Sequence, residues 1–97
     1  MRYAIKYLPT FSSDRDAIRV HLSQYYAGTE KRFFTLLRKK ISRLRDFPAM
    51  CPIYEIDPVY RKLVVGQYIV LYTLDESRAI IEIHRILPGS WDILKHL

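Results

Sequence analysis

Residues 61–87 constrain this chain more than any other stretch, because they hold three apolar runs separated by two turn-forming breaks. The runs are Arg61–Val65, residues 68–74 and residues 79–87, and all three are rich in Val, Ile and Tyr. β-Branched and aromatic side chains suit a pleated surface. Gly66-Gln67 fits a two-residue hairpin turn with Gly at the first central position. Asp75-Glu76-Ser77-Arg78 fits a four-residue turn. The expectation is a three-stranded antiparallel meander.

The turns also set a register. Pairing Val65 with Tyr68 puts Leu63 opposite Val70 and Arg61 opposite Tyr72. Pairing Leu74 with Ala79 puts Tyr72 opposite Ile81, Val70 opposite Ile83 and Tyr68 opposite Arg85. One face then carries Leu63, Val65, Tyr68, Val70, Tyr72, Ile81 and Ile83, with Arg61 and Arg85 at its margins. The other carries Lys62, Val64, Ile69, Leu71, Thr73, Glu82 and His84. The first is the better core; the second, mixed face suits a partner or a shallow site.

The N-terminal half reads differently. Residues 3–8 alternate weakly and stop at Pro9, which predicts a first strand. Ser12-Ser13-Asp14 carries helix-start chemistry, with Ser13 as cap and Asp14 and Asp16 in the first turn. Ile18, Leu22, Tyr25 and Tyr26 recur at helical spacing. Gly28 ends that helix and Thr29 caps the next, expected over residues 30–45. Phe33, Leu37, Ile41 and Leu44 form its apolar face, with Phe34 beside them. Its other face holds Lys31, Arg32, Arg38, Lys39, Lys40, Arg43 and Arg45. A short link makes the pair an antiparallel helical hairpin. Residues 46–60, with Pro48, Pro52 and Pro58, read as a loop with a short extended piece at Ile53-Tyr54-Glu55-Ile56. The predicted class is α+β: strand, helical hairpin, three-stranded meander.

Composition narrows the function classes. A length of 97 residues predicts one domain spanning 1–97. No apolar run reaches the roughly 18 residues of a membrane span, and the start lacks a signal-peptide core, so a cytoplasmic protein with no membrane partner is expected. One cysteine, Cys51, excludes an internal disulfide and a cysteine-based zinc site. His21, His84 and His96 lack metal-ligand spacing. Three glycines leave no phosphate-cradling loop, so no cofactor is expected. The formal charge of +6 leaves the basic helix face open to three readings: a solvated surface, a nucleic-acid patch, or the seat of an acidic protein segment.

One block, Tyr60-Arg61-Lys62-Leu63-Val64-Val65-Gly66-Gln67-Tyr68-Ile69-Val70-Leu71-Tyr72, has an arginine, a short strand, Val-Gly-x-Tyr and an alternating strand ending in Tyr. A second, Ile81-Glu82-Ile83-His84-Arg85-Ile86-Leu87-Pro88-Gly89-Ser90-Trp91-Asp92, has a closing strand and a Gly-x-x-Asp ending. Together they resemble the RelE/ParE toxin superfamily, and more closely its ParE-like members. The resemblance implies the toxin of a bacterial type II toxin–antitoxin module, neutralised by a cognate antitoxin and meeting operator DNA only through it. The superfamily contains DNA gyrase inhibitors and ribosome-dependent mRNA endoribonucleases. Ribonuclease members carry a basic residue after the hairpin Tyr, where this chain has Ile69, and basic residues after the last strand, where it has Gly89-Ser90-Trp91-Asp92. Arg61 and the Arg85…Gly89…Asp92 pattern match the ParE type, so gyrase inhibition is the expectation and mRNA cleavage the alternative.

The candidate residues follow. Arg61, Arg85, Trp91, Ile69, Leu71, Arg38 and Lys39 are candidates for target or partner contact. Arg85 also suits an ion pair, for example with Asp92, and Arg61 a stack on Tyr72. RNA cleavage by 2′-hydroxyl attack needs a base, a cation and an acid; His84, Glu82, Lys62 and His96 are the side chains for that role. Residues 88–97 carry Trp91, Leu94 and Leu97 at spacing three, a stripe suited to a short helix offered to the target. Cys51 reads as incidental.

Overall fold

The computed structural model describes residues 2–25 and 27–90. Four strands and two helices follow in the order β1 (Ala4–Tyr7), α1 (Pro9–Leu22), α2 (Thr29–Arg43), β2 (Arg61–Val65), β3 (Tyr68–Asp75) and β4 (Ile80–Pro88). The strands form one mixed sheet in the order β1-β4-β3-β2. β2, β3 and β4 make the expected antiparallel meander, and β1 joins parallel to β4.

The first hairpin has the expected register throughout, from Val65 opposite Tyr68 to Arg61 opposite Tyr72. Gly66 has φ +58°, the value the first position of a tight hairpin turn demands and only glycine adopts without strain. The second hairpin differs. Asp75 pairs with Ile80, so the loop is Glu76 to Ala79 and Leu74 faces Ile81 rather than Ala79. Asp75 braces this loop by accepting hydrogen bonds from the Ser77 hydroxyl and the Arg78 amide, which hold its carboxyl below the usual range. Ala79 closes the loop at φ +52°. A shift of two residues preserves the side-chain faces, so Ile81 and Ile83 still point inward.

Beyond Ile83 the faces change. Tyr72 pairs with Ile83 but Leu71 pairs with Arg85, which makes His84 the extra residue of a β-bulge. Ile86 therefore turns inward and lies opposite Val70, where the sequence had placed Ile83. Burying an Ile side chain contributes roughly 1.5–3 kcal/mol, more than the about 1 kcal/mol of a disturbed ladder bond.

The helices cover the inward face. Phe11 and Ile18 of α1, and Phe34, Leu37 and Ile41 of α2 with Leu44 just beyond, pack on Leu63, Val65, Val70, Tyr72, Ile81, Ile83 and Ile86. Phe34 takes the central place expected of Phe33, which lies at the margin 5.1 Å from the Tyr68 ring. Arg19 ties the helices together: it pairs with Glu30 at 2.7 Å and lies 4.4 Å over the Phe34 ring.

Helix α1 starts earlier than its cap signal suggests. Pro9 is its first residue and Leu8 its N-cap, with no side-chain cap bond. Proline at the first helical position needs no amide partner and brings a helical φ. Ser13 and Asp14 consequently lie mid-helix. Gly28, at φ +92°, is the N-cap of α2 in place of Thr29.

Residues 46–60 are anchored rather than loose. Tyr72 Oη donates to the Pro48 carbonyl at 2.9 Å, and Arg61 Nη1 donates to the Cys51 carbonyl at 2.7 Å. Arg61 thus binds loop carbonyls. Burial, reinforced by the Cys51 thiol, pushes the Tyr72 phenol well above its usual range. Cys51 is a buried member of the core rather than an incidental loop residue. No described helix is long and apolar enough to cross a membrane.

Candidate partner-binding groove

Strand β4 runs on after β1 has ended, and that mismatch builds a concavity between β4 and α1. The last backbone contact on this side is Leu8 N–H to the Ile83 carbonyl, at 3.0 Å. From His84 onward the edge of β4 faces α1. Two α1 side chains one turn apart, Thr10 and Asp14, serve it. The Thr10 hydroxyl donates to the His84 carbonyl at 2.6 Å, and Asp14 Oδ2 accepts from the Ile86 amide at 3.1 Å. Asp14 also holds Arg85 bidentately, Nε to Oδ2 at 2.7 Å and Nη2 to Oδ1 at 3.0 Å. The fork geometry is the strong form of this pair.

Past Asp14 the helix and the strand leave a groove of about 710 Å³. Ile18, Ile86 and Leu87 give it an apolar lining, Tyr68 and His21 stand on its walls, and Asp14 and Arg85 mark its charged end. Burial pushes the Tyr68 phenol above its ordinary value. Gly89 donates to the Gln67 carbonyl at 2.7 Å, and a Cβ at Gly89 would meet that oxygen at 3.0 Å. This contact fixes the far end of β4 to the β2–β3 turn.

The other face of the sheet is less open than the sequence suggests. Ile69 and Leu71, expected on an accessible face, are buried with Leu87 beneath Tyr54, and Tyr60 packs beside them. The correction has a simple cause: Tyr54 N–H bonds to the Tyr60 carbonyl and Ile53 bridges to Arg61, which folds the loop back over the strands. The hint was the Ile53-Tyr54-Glu55-Ile56 piece, whose alternation fits a segment lying on a sheet.

His84 sits on this face in edge contact with the Tyr60 ring, centroids 5.0 Å apart, and its Nε2 is 3.0 Å from Thr73 Oγ1. Glu82 faces Thr73 across the ladder and Lys62 faces Leu71, itself opposite Arg85. The structure therefore brings His84 to Thr73 and Tyr60, and Arg85 to Asp14, the pairing the sequence left to Asp92. Arg38 and Lys39 are exposed on α2, away from the groove. Trp91, Asp92, His96 and the expected helix of residues 88–97 lie from Trp91 onward outside the described residues, as does Tyr26. Among the described residues no group of three His, Cys, Asp or Glu could hold a metal ion. The functional residue that sequence reasoning missed is Asp14, whose helix-cap signal hid its role as the partner of β4.

The model of the ParE toxin of the type II toxin–antitoxin system parDE matches residues 5–93. The chain belongs to the ParE toxin family. No curated protein matches it. Two solved structures share the fold of this family member. The chromosomal ParDE toxin–antitoxin system from P. aeruginosa has a TM-score of 0.72 at 18% identity, covering 90% of this chain and 96% of the other. The RelBE2 toxin–antitoxin complex from Mycobacterium tuberculosis has a TM-score of 0.62 at 16% identity, covering 91% and 99%. The chain is thus a type II toxin of the RelE/ParE superfamily.

Proposed function

We propose that this ParE-family chain acts on DNA gyrase through surface contacts, without breaking a bond itself, and is neutralised by a cognate antitoxin. The observation that carries the proposal is the state of His84 and Arg85. They are the two side chains on β4 best suited to acid–base and phosphate chemistry, and both are engaged within the fold. His84 is held by Thr73 and Tyr60 and Arg85 by both oxygens of Asp14. A general base must reach its proton, and the Asp14 carboxylate already balances the charge that Arg85 would offer a phosphate. What the surface offers a partner is the groove between α1 and β4, apolar within and charged at one end. Both solved relatives come from toxin–antitoxin systems, which supports an antitoxin segment as a partner of this chain.

The test is a supercoiling assay with purified gyrase and relaxed plasmid. Added toxin should suppress supercoiling, and the product of the adjacent antitoxin-like reading frame should restore it. His84→Ala should keep full toxicity in a growth assay, since a true acid–base group contributes about 10²–10⁴-fold. Normal supercoiling together with mRNA cut inside codons, abolished by His84→Ala at an unchanged melting temperature, would replace the gyrase reading with ribonuclease action.

A further inference from the structure

Helix α2 concentrates charge in a way that neither the groove nor the sheet face explains. Its fifteen residues hold Lys31, Arg32, Arg38, Lys39, Lys40 and Arg43 against a single acid, Glu30. Glu30 is turned to α1, where Arg19 neutralises it at 2.7 Å. Lys40 is drawn to the sheet edge, donating to the Val64 carbonyl at 3.0 Å. That leaves Lys31, Arg32, Arg38, Lys39 and Arg43 exposed on the outer surface. None of these five is in an ion pair among the described residues.

Their spacing has a direction. Arg32, Lys39 and Arg43 stand at i, i+7 and i+11, within about 40° of one another around the helix and spread over about 16 Å of its length. Lys31 and Arg38 flank that row, and the exposed hydroxyls of Thr35 and Ser42 lie between the two lines. A shallow depression lined by Lys31, Arg32, Thr35, Leu36 and Lys39 opens on the same side. Leu36, 38% exposed, is the one large apolar side chain on it. An acidic protein segment that folds on binding needs apolar anchors as well as charge, and the α1–β4 groove has them while this face does not. No exposed aromatic stands among the cations, so there is no platform on which unpaired bases could stack. What remains is a straight, doubly rowed cationic ridge with hydroxyl donors, matched to regularly spaced phosphates on a rigid rod.

We propose that the outer face of α2 binds the phosphate backbone of duplex DNA without reading its sequence. The contact is electrostatic, so it follows counterion release. It makes the chain itself a DNA-contacting surface, independently of its effect on gyrase and of any antitoxin.

The experiment is fluorescence anisotropy with the purified chain alone and a labelled duplex of about 20 base pairs, titrated between 50 and 200 mM salt. With four to five phosphates neutralised, affinity should fall about 100-fold or more across that range. Lys39→Gln with Arg43→Gln should reduce the slope of log K against log salt by about 2. Both side chains are exposed, and an unchanged thermal melt verifies the fold. Arg78→Gln, on the far turn, should leave binding as it was. The proposal is overturned by no anisotropy change at 50 mM salt with about 100 μM protein, the weak end of the usual non-specific range at physiological salt. It is also overturned if the double variant keeps both affinity and slope. Equal binding of a single-stranded oligonucleotide, or equal competition by a glutamate-rich peptide of the same charge, would likewise reject duplex DNA as the occupant.

Discussion

The two halves of β4 face the same direction but are completed in different ways. From Ile80 to Ile83 its outer edge is paired with β1, backbone to backbone. From His84 to Ile86 the same edge is served by the Thr10 hydroxyl and the Asp14 carboxylate of α1. A neighbouring strand sits about 4.8 Å away, whereas a helix with its side chains is about 10–12 Å across and must stand further off. The first half therefore leaves no space and becomes core. The second half needs side chains to span the gap, and where those side chains run out, past Asp14, the space opens as the groove. The site is the remainder of a change of partner along one strand.

This contrast sets an order of mutational effects. Ile83→Ala lies at the junction, with a fully buried side chain, and should lower the unfolding free energy most, by about 2–5 kcal/mol in urea titration. Asp14→Ala should cost less, about 2 kcal/mol, because it strands the Ile86 amide and releases Arg85 at once. Arg85→Ala at the other end of the same pair should cost about 1 kcal/mol or less, since its side chain is 42% exposed and the Asp14 bond to Ile86 survives. If the two variants are equally destabilised, the strand edge is not what Asp14 serves. Thr10→Val should be the mildest, below about 1 kcal/mol, because water can reach the His84 carbonyl it leaves. Amide exchange sharpens the comparison: Asp14→Ala should speed exchange at Ile86 and leave the amides paired to β1 protected.

How legible each half was follows from how local its cause is. The β2–β3 hairpin could be read to the residue, because Gly66-Gln67 fixes turn and register together. The β3–β4 hairpin could be read only in its faces. Its loop closes through Ala79 in a left-handed conformation that alanine rarely adopts, and nothing in Ile83-His84-Arg85 announces a bulge. The start of α1 was obscured because Ser13-Asp14 has the chemistry of a cap while Pro9 can end a strand and begin a helix equally well. The partner of Arg85 stands seventy-one positions away in sequence, so local patterns carried no sign of it. Periodicity and turns located the element order, and internal roles for Arg61 and Arg85 were foreseeable, but their partners, the Cys51 carbonyl and Asp14, were not.

The parallel pairing of β1 with β4 has a consequence for the order of assembly. Ala4 meets Ile80, so β1 has no neighbouring strand until the seventy-six residues that follow Ala4 have been made. At about 5–20 residues per second, the interval is of the order of 4–15 s, and the entropy of closing so long a loop must be met before any contact rewards it. The meander needs only its own short turns and can zip up first. Its last strand then serves as the template on which β1 is received, so this toxin acquires its β1 edge, and the helix that frames the groove, only after β4 has been made.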